Sequence, residues 1–230
     1  MSGKGSDPLV PLAEHALRYL KPGHTLGLGT GRAATAFIRA LGQSGLKVRG
    51  VPTSKASEGL ARELGIEIVG LAEAEKIDIT FDGADEVDPR LNLIKGFGGA
   101  LVREKVVAMA SRQRVTLVGE EKLVKRLGQR GKIPVEVVEF AVPFCLRQLK
   151  VLGMKPLLRK NDDGSVFHSD NGNPILDCGV RPIANAARIE RQIRSIPGVI
   201  GTGLFIGTAD VVLVGQSDGS VRVMNRVRPD

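Results

Sequence analysis

The sequence has few of the residues on which metal-based and thiol-based sites depend. Its 230 residues include two cysteines and three histidines. Cys145 and Cys178 are far apart and neither belongs to a Cys-x-x-Cys pair, so we interpret both as buried or incidental thiols. No histidine stands at metal-ligand spacing from another histidine or a cysteine, so no zinc site is predicted. The scarcity of these residues directs attention to carboxylates, lysines and hydroxyl groups.

Aromatic residues are also scarce, at 3 % of the chain with one tyrosine and no tryptophan. The formal net charge of +8 is of a kind found in proteins that bind nucleic acids, anionic membranes or anionic metabolites. Here the cations are dispersed among acids, and stacking platforms for bases are nearly absent. We therefore predict no nucleic-acid partner and interpret the charge as steering a phosphorylated substrate. Arg222, Arg226 and Arg228 are interpreted as a solvated strand face or a subunit contact.

Long apolar runs are missing too. No stretch approaches the roughly 18 apolar residues of a membrane span, so no membrane partner is predicted. The first residues, MSGKGSD, are not followed by the apolar core of a signal peptide, which predicts a cytoplasmic protein. The length allows one or two domains with a full core.

Helical and strand-like segments alternate through the first half of the chain. Asp7-Pro8 is typical of a helix start. Apolar spacing predicts helices over 9–20, 33–41, 54–64 and 100–110, and strands over 25–28, 48–51, 66–71, 77–81 and 115–118. This order predicts an α/β fold, a mostly parallel, Rossmann-like sheet with helices on both faces. Ligands of such sheets bind beyond the carboxyl ends of the strands, where the turns after Leu28, Val51 and Phe81 would lie.

The pattern changes after about residue 130. Strands are predicted over 133–140, 155–159 and 199–205, with helices over 142–152 and 181–196. This order favours a smaller inserted α+β (ferredoxin-like) domain over 131–205. The strands predicted over 211–214 and 221–227 would then rejoin the main α/β domain, which would comprise 1–130 and 206–230.

A glycine-rich turn, Gly27-Leu28-Gly29-Thr30-Gly31-Arg32-Ala33, follows the first predicted strand. Glycines let backbone N–H groups approach an anion at a helix N-terminus, so we favour phosphate or another small anion. A dinucleotide site and a purely structural turn are the alternatives. The dinucleotide fingerprint needs an acid about 20 residues later, where this chain has Pro52-Thr53-Ser54. Thr53 or Ser54 can cap the next helix as well as contact a ligand.

The segment from Asp78 to Lys105 contains the strongest combination of charged residues. Asp82 and Asp85 end a predicted strand, Lys95 precedes a glycine-rich turn, and Glu104 lies near the start of a predicted helix. Each has an ordinary structural alternative: a turn or helix cap for the aspartates, and an exposed surface position for the lysine and the glutamate. Magnesium would want more oxygen ligands than this loop offers. Together they indicate proton transfer beside a stabilised oxyanion.

At these residues the chain closely resembles the ribose-5-phosphate isomerases of the A type. The resemblance rests on DGADEVDPRLNLIKGFGGALVREK, and on GLGTG, PTS, EEKLVKRLG, PVEV, SDNGNPILD and IPGV elsewhere. It implies a metal-free, cofactor-independent interconversion of D-ribose 5-phosphate and D-ribulose 5-phosphate, in the non-oxidative branch of the pentose phosphate pathway. It also implies a homodimer or homotetramer.

The resemblance implies a role for each charged residue. Glu104 is the expected base, Asp82 assists ring opening and proton movement at the sugar oxygens, Lys95 and neighbouring amides hold the oxyanion, and Asp85 binds sugar hydroxyls. The implied substrate-binding positions are Thr30, Gly31, Arg32, Ala33, Ser54, Gly83, Ala84, Gly96, Phe97, Gly98 and Lys122.

Two departures from the family pattern bear on the substrate. Arg32 and Ala33 stand where the family usually has Ser-Thr, so two hydroxyl donors are replaced by one guanidinium, which can bind phosphate bidentately. Phe97 replaces a glycine and would be strained at a positive φ. An isomerase for another aldose, and a non-catalytic sugar-phosphate sensor on the same scaffold, are the alternative functions.

Overall fold

The structure, a computed structural model, describes residues 9–227. The predicted helix start at Asp7-Pro8 and the predicted role of Arg228 lie outside these residues. The described chain groups into two compact units: residues 9–84, 103–122 and 208–227 form the first, and residues 85–102 and 123–207 form the second. The predicted domain boundaries at 130/131 and 205/206 stay a prediction about which parts of the chain fold independently.

Helices and strands alternate along most of the described chain. The α-helices are α1 (Leu9–Leu17), α2 (Arg32–Ser44), α3 (Lys55–Glu63), α4 (Leu101–Ala110), α5 (Val142–Val151) and α6 (Ala186–Arg194). The strands up to residue 119 are β1 (Thr25–Leu28), β2 (Arg49–Pro52), β3 (Glu67–Ile68), β4 (Ile77–Gly83), β5 (Glu86–Val87), β6 (Leu93–Ile94) and β7 (Ser111–Gly119). The later strands are β8 (Lys132–Val137), β9 (Lys155–Leu158), β10 (Ile175–Gly179), β11 (Val199–Thr202), β12 (Leu204–Phe205), β13 (Val211–Gly215) and β14 (Val221–Asn225). Two short 3₁₀ helices cover Glu120–Lys122 and Glu139–Ala141.

The first unit contains a seven-stranded sheet in the order β14-β13-β7-β4-β1-β2-β3. Every neighbouring pair is parallel except β13 and β14, which form an antiparallel hairpin. The α/β class with a mostly parallel sheet is therefore confirmed. Because β1, β2 and β4 are parallel neighbours, the turns that follow them lie at one edge of the sheet, as the sequence predicts.

Both faces of this sheet are covered by helices. Leu26, Leu28, Ile79 and Phe81 alternate along β1 and β4 and pack with α1 and α2 in one apolar cluster. Between them, Gly27 and Thr80 face α4, so closely that a Cβ on Gly27 would lie 2.6 Å from Val107 Cγ1. Because successive side chains of a strand point to opposite faces of the sheet, one face packs against α1 and α2 and the other against α4.

The second unit contains two antiparallel sheets. One has four strands in the order β11-β8-β10-β9, and α5 and α6 connect them in a β-α-β-β-α-β sequence. The other has three short strands in the order β12-β6-β5. The core of the second unit is formed by buried aliphatic side chains such as Ile133, Val135, Leu149 and Ile193. The smaller α+β part of the predicted fold is confirmed by these sheets.

Several boundaries in the second unit differ from those predicted. The predicted strand over 199–205 is divided into β11 and β12, which belong to different sheets. Gly203 marks the division, since a Cβ there would lie 2.3 Å from the carbonyl oxygen of Lys95. The predicted helix over 181–196 begins only at Ala186, because the side chain of Asn185 caps it by accepting the N–H of Arg188 at 2.9 Å.

Other short strands escape the sequence pattern. The sequence pattern predicts no range for β5, β6 or β10, since strands of two to five residues between turns carry little periodicity. In the first unit, the strand predicted over 66–71 pairs only at Glu67 and Ile68. None of the helices within residues 9–227 has both the length and the apolar character needed to cross a bilayer.

Candidate active site

In the first unit, hydroxyl groups from two turns meet at the carboxyl edge of the sheet. The hydroxyl of Thr30, after β1, lies 2.8 Å from Thr53 Oγ1 and donates to Ser54 Oγ at 2.8 Å, both after β2. Thr53 is buried and is also bound to the carbonyl of Leu28, through its N–H at 2.9 Å. The GLGTG and PTS turns, separated by more than twenty residues, are therefore joined by side-chain hydrogen bonds.

Asp82, at the end of β4, joins the same edge. Its Oδ1 accepts the N–H of Thr30 at 3.0 Å and the N–H of Gly83 at 2.7 Å. Gly29 leaves the space for this carboxylate, since a Cβ there would lie 2.3 Å from Asp82 Oδ1. The aspartate is 6 % exposed, so these bonds fix it in a site largely withdrawn from water. Of the predicted site residues, the structure thus brings Thr30, Ser54, Asp82 and Gly83 together.

The N-terminus of α2 lies beside these turns. Its cap residue, Gly31, has φ of +98° and provides no side-chain cap. Arg32 is exposed and Ala33 is half-buried in the first helical turn. Backbone N–H groups at an uncapped helix end, with a guanidinium beside them, attract a small anion.

Ser54 also has a structural role. Its hydroxyl accepts the N–H of Ser57 at 3.1 Å, and Ser57 Oγ accepts the N–H of Ser54 at 3.1 Å. This reciprocal capping box begins α3. The capping alternative for Ser54 is therefore confirmed, and its contact with substrate stays a prediction.

Glu104 lies in the first turn of α4 and is 4 % exposed. An exposed helix position is the ordinary alternative for this glutamate when it is considered by itself, and its burial excludes that alternative. Its position is one turn from Leu101 and Val107, which are both buried, so it faces the protein rather than water. A carboxylate excluded from water in this way is suited to proton transfer with a bound substrate.

In the second unit, residues 95–99 form a turn that we call the lysine turn. Lys95 is 4 % exposed, and its Nζ lies 5.6 Å from the centre of the Phe205 ring. Asp85 Oδ2 accepts the N–H of Phe97 at 3.0 Å, so this aspartate supports the turn. Gly96 and Gly99 have φ of +96° and +89°, values that glycine adopts without strain. The surface alternative for Lys95 is therefore excluded, and Asp85 is part of its setting.

Phe97 is accommodated without the strain that a positive φ would impose. Among residues 9–227, Leu91 is the one non-glycine residue with positive φ. The Phe97 ring packs on the apolar cluster of the second unit, and Lys132 Nζ lies 4.6 Å from its centre. The large side chain is accommodated here because its ring packs against this cluster.

A charged network that the sequence reasoning missed adjoins the lysine turn. The Arg159 guanidinium donates to Asp177 Oδ1 at 2.6 Å and Oδ2 at 3.1 Å, and Lys132 Nζ donates to Asp177 Oδ2 at 3.1 Å. Burial by itself would raise the pKa of Asp177, but the hydrogen bonds and charges of Arg159 and Lys132 hold it below its ordinary value. No local motif predicts this network, because Lys132 and Asp177 lie on different strands and Arg159 follows a third.

The remaining predicted positions have ordinary surroundings. Lys122 is half-buried at the end of the 3₁₀ helix after β7. Ala84 follows β4, and Gly98 lies within the lysine turn. Burial raises the pKa of both Cys145 and Cys178, so their thiols stay protonated at neutral pH. Within residues 9–227 no group of three His, Cys, Asp or Glu side chains is arranged to hold a metal ion.

The fold and these side chains define an α/β protein with buried carboxylates at the carboxyl edge of a parallel sheet. Comparison with known proteins identifies its relatives. The family model for ribose 5-phosphate isomerase A (phosphoriboisomerase A) matches residues 49–219. Ribose-5-phosphate isomerase A of Roseiflexus sp. (strain RS-1) is 45 % identical over 92 % of this chain and 93 % of its own. That of Thermomicrobium roseum is 46 % identical over 94 % of this chain and 92 % of its own.

Solved structures lead to the same family. Ribose 5-phosphate isomerase A from Methanocaldococcus jannaschii superposes with a TM-score of 0.90 at 40 % identity, covering 95 % of this chain and 98 % of that one. A D-ribose-5-phosphate isomerase in complex with phospho-erythronic acid superposes with a TM-score of 0.91 at 36 % identity, over the same shares of both chains. This chain belongs to the ribose-5-phosphate isomerase A family.

Proposed function

We propose that the protein interconverts D-ribose 5-phosphate and D-ribulose 5-phosphate through an enediolate. The observation that carries this proposal is the burial of Glu104 and Lys95, each 4 % exposed, in a chain of this family. A buried base and a buried cation are what the reaction needs, since the hydrogen beside a carbonyl becomes removable only when the resulting oxyanion is stabilised.

The proton transfers balance with two carboxylates and one cation. With the sugar ring opened, Glu104 takes the proton from C2, and the electron pair moves to O1 to give the enediolate. Lys95 and the amides of the lysine turn stabilise that charge. Glu104 then returns the proton to C1 while the C2 oxygen becomes the carbonyl. Asp82 carries protons at the sugar oxygens and assists ring opening, and Asp85 binds sugar hydroxyls besides supporting the turn.

The substrate's phosphate is assigned to the N-terminus of α2. Gly31 leaves the first N–H groups of this helix without a side-chain cap, and Arg32 is exposed beside them. The guanidinium takes the place of two hydroxyl donors usual in the family. Gly83, Ala84 and Lys122, with the hydroxyl cluster around Thr30, are the further substrate positions in this proposal. Phospho-erythronic acid, found in a relative's structure, should compete for this protein because its carboxylate imitates the charge of the enediolate.

The proposal is tested by a coupled assay for ribose 5-phosphate isomerisation. Glu104→Gln removes the base, so kcat should fall by roughly 10²–10⁴-fold. Glu63→Gln is the matched control, because Glu63 is an exposed helical glutamate in α3, and should leave turnover unchanged. Wild-type turnover by Glu104→Gln would show that the base is misassigned.

Two other results would change the function itself. Binding of ribose 5-phosphate by the wild type without conversion would favour a sensor. A higher kcat/KM for an unphosphorylated aldose would show that the substrate is wrong. Arg32→Ala sharpens the second result, because loss of a phosphate contact should raise KM for the phosphorylated sugar alone.

We also propose that the chain assembles into a homodimer or homotetramer and acts in the cytoplasm. Exposed apolar side chains in the second unit support assembly: Phe140 is 95 % exposed and Val151 is 79 % exposed. Light scattering on the wild type and on Phe140→Ser tests it; a monomeric wild type would contradict it.

A further inference from the structure

The lysine turn is held by few bonds of regular structure. It follows β6, a strand of two residues, and two of its members are glycines with positive φ. Glycine leaves a turn with more backbone freedom than any other residue. Oxyanion donors are effective only when their positions are fixed before the charge develops. Something outside the turn must therefore restrict it.

Arg159 reaches the turn from β9's carboxyl end. Its Nη1 donates to the carbonyl of Gly96 at 3.1 Å and to the carbonyl of Phe97 at 3.1 Å. Its Nε and Nη2 donate to the carboxylate of Asp177 at 3.1 and 2.6 Å. One planar group thus joins two consecutive peptides of the lysine turn to β10. Its side chain is 10 % exposed, so these bonds compete little with water.

The two carbonyl bonds also set the direction of the amides. In a trans peptide the C=O and the following N–H point in opposite directions. Since the Gly96 carbonyl points to Arg159, the Phe97 N–H points away from it and donates to Asp85 Oδ2 at 3.0 Å. Since the Phe97 carbonyl also points to Arg159, the Gly98 N–H points away as well. Among residues 9–227 the Gly98 N–H has no hydrogen-bond partner, so it is available to a ligand.

We propose that Arg159 is a positioning residue of the isomerase: by binding the carbonyls of Gly96 and Phe97, it holds the lysine turn and orients the Gly98 amide toward the enediolate. The proposal rests on the proposed function. Arg159 does not itself touch the reacting atoms. Asp177 orients the guanidinium, and the Phe167 ring, whose centre lies 5.4 Å from Arg159 Cζ, packs against it.

Lysine cannot replace arginine in this position. The guanidinium makes two bonds to a carboxylate and two to carbonyls from one rigid plane, whereas an ammonium is a single point of donation on a flexible chain. Arg159→Lys keeps the positive charge and removes the geometry. It therefore separates the loss of orientation from the loss of charge.

The test compares steady-state kinetics of Arg159→Ala, Arg159→Lys and the control Arg147→Ala. Arg147 is an exposed arginine of α5 and should behave as wild type. Displacement of catalytic groups by about 1 Å costs about 10²-fold, so kcat of both Arg159 variants should fall by about that factor. KM should change little, because the Gly98 amide and Lys95 bind the enediolate more strongly than the sugar. Phospho-erythronic acid should lose affinity in parallel with kcat.

Two further measurements separate positioning from folding. Subdenaturing guanidinium chloride should partly restore kcat to Arg159→Ala and should not restore Arg159→Lys. Amide hydrogen exchange at Phe97 and Gly99, whose N–H groups are hydrogen-bonded to Asp85 and to the Gly96 carbonyl, should accelerate in Arg159→Ala while exchange in β8 stays unchanged. If Arg159→Ala does not fold, Arg159→Lys carries the same kinetic and exchange comparison.

The outcomes distinguish this inference from the proposed function. Full kcat in a folded Arg159→Ala, or a change confined to KM, overturns the positioning role while wild-type turnover still supports the isomerase. A wild type that does not convert ribose 5-phosphate overturns the proposed function. In that case unchanged amide exchange in Arg159→Ala would also overturn the claim that Arg159 holds the turn.

Discussion

The carboxylate edge of the first unit and the lysine turn of the second are built by different means. Asp82 is held by backbone N–H groups and closely approaching glycine, and its neighbours Thr30 and Thr53 are uncharged. The lysine turn is held by Arg159, which is itself held by Asp177. In these contacts the first region uses close approach and uncharged donors, whereas the second uses the charged donors Arg159 and Lys132.

The difference follows from the secondary structure available in each region. Asp82 ends a strand with partners on both sides, so the backbone already fixes its Cα. Lys95 follows a two-residue strand and enters an irregular turn, where regular backbone pairing ends. A group on a regular element needs only side-chain space, whereas a group on a turn needs further side chains to restrict it. The following predictions test this contrast, beginning with the largest effect.

Gly29→Ala should be the most damaging of these substitutions. The added Cβ would lie 2.3 Å from Asp82 Oδ1 and 2.6 Å from Asp82 Cα, and the latter atom is backbone that cannot rotate away. We expect a loss of about 3 kcal/mol or more in the free energy of unfolding, with loss of turnover. Urea denaturation and the coupled assay measure the two effects.

Gly59→Ala is the matched control for this change. Gly59 lies within α3, and a Cβ there would meet nothing within 4 Å. Replacing a glycine in an open helical position should raise the free energy of unfolding by roughly 0.5–1 kcal/mol. If Gly29→Ala were as well tolerated as Gly59→Ala, shape would not be what holds the carboxylate edge.

Most of the first unit could be predicted from its sequence. The strand over 25–28 has the predicted bounds, and apolar spacing finds α1, α2 and α4 within a few residues. Long, periodic segments of this kind carry their structure in local pattern. The strands β5, β6 and β10 could not be found in this way: β5 and β6 have two residues each, too few to show a period, and β10 is a strand because it pairs with β8 and β9.

Glu86→Gln should have the next largest effect, in the second unit. This carboxylate is fully buried and accepts the N–H of Gly128 at 2.6 Å and that of Gln129 at 3.3 Å, with the N–H of Arg130 on its other oxygen at 2.5 Å. An amide offers one acceptor oxygen instead of two, so we expect the free energy of unfolding to fall by about 1–3 kcal/mol.

The exposed Glu139 provides the control for the buried glutamate. Glu139→Gln should change the free energy of unfolding by less than about 0.5 kcal/mol. Equal denaturation midpoints for the Glu86 and Glu139 variants would contradict the view that buried charge organises the second unit.

Asp177→Asn should lower the free energy of unfolding by a smaller amount, and this loss should depend on pH. The pKa of Asp177 is held below its ordinary value of 3.8, because Arg159 and Lys132 outweigh the effect of burial. A lowered pKa contributes stability above the ordinary value, and this contribution is lost as the pH falls through the folded-state pKa. We expect the variant to be less stable by about 1–2 kcal/mol near neutral pH.

The test is how the difference in free energy of unfolding between the wild type and Asp177→Asn changes with pH. Urea denaturation of both proteins from about pH 7 to about pH 2 should show the difference shrinking toward zero in acid, because the wild-type carboxylate becomes protonated there. A difference that stayed constant with pH would mean that the ionised state of Asp177 contributes nothing.

As with the fold, the site residues of the first unit could be predicted from the sequence better than those of the second. Thr30, Ser54 and Asp82 come from turns that parallel-sheet topology places at one edge, so their meeting follows from the predicted parallel sheet. Arg159 could not be found, since it lies 62 residues after Phe97 and its partner Asp177 is on a strand that periodicity does not reveal. That the four charged residues act on one substrate stays a prediction.

Thr53→Val should lower the free energy of unfolding by the smallest amount, and this loss should be the least sensitive to salt. Valine keeps the shape and removes the hydroxyl, but the Leu28 carbonyl keeps the N–H of residue 53 and Thr30 keeps its bond to Ser54. The Thr53 hydroxyl has one proton for two acceptors, Thr30 Oγ1 at 2.8 Å and the Leu28 carbonyl at 3.1 Å. The loss in the free energy of unfolding should therefore be roughly 0.5–1.5 kcal/mol, that of one neutral hydrogen bond. Added salt screens charged pairs but not neutral ones, so it should reduce the effect of Asp177→Asn and leave that of Thr53→Val unchanged. Parallel denaturation series at low and high salt therefore compare the two regions directly, and equal salt dependence would remove the distinction between them.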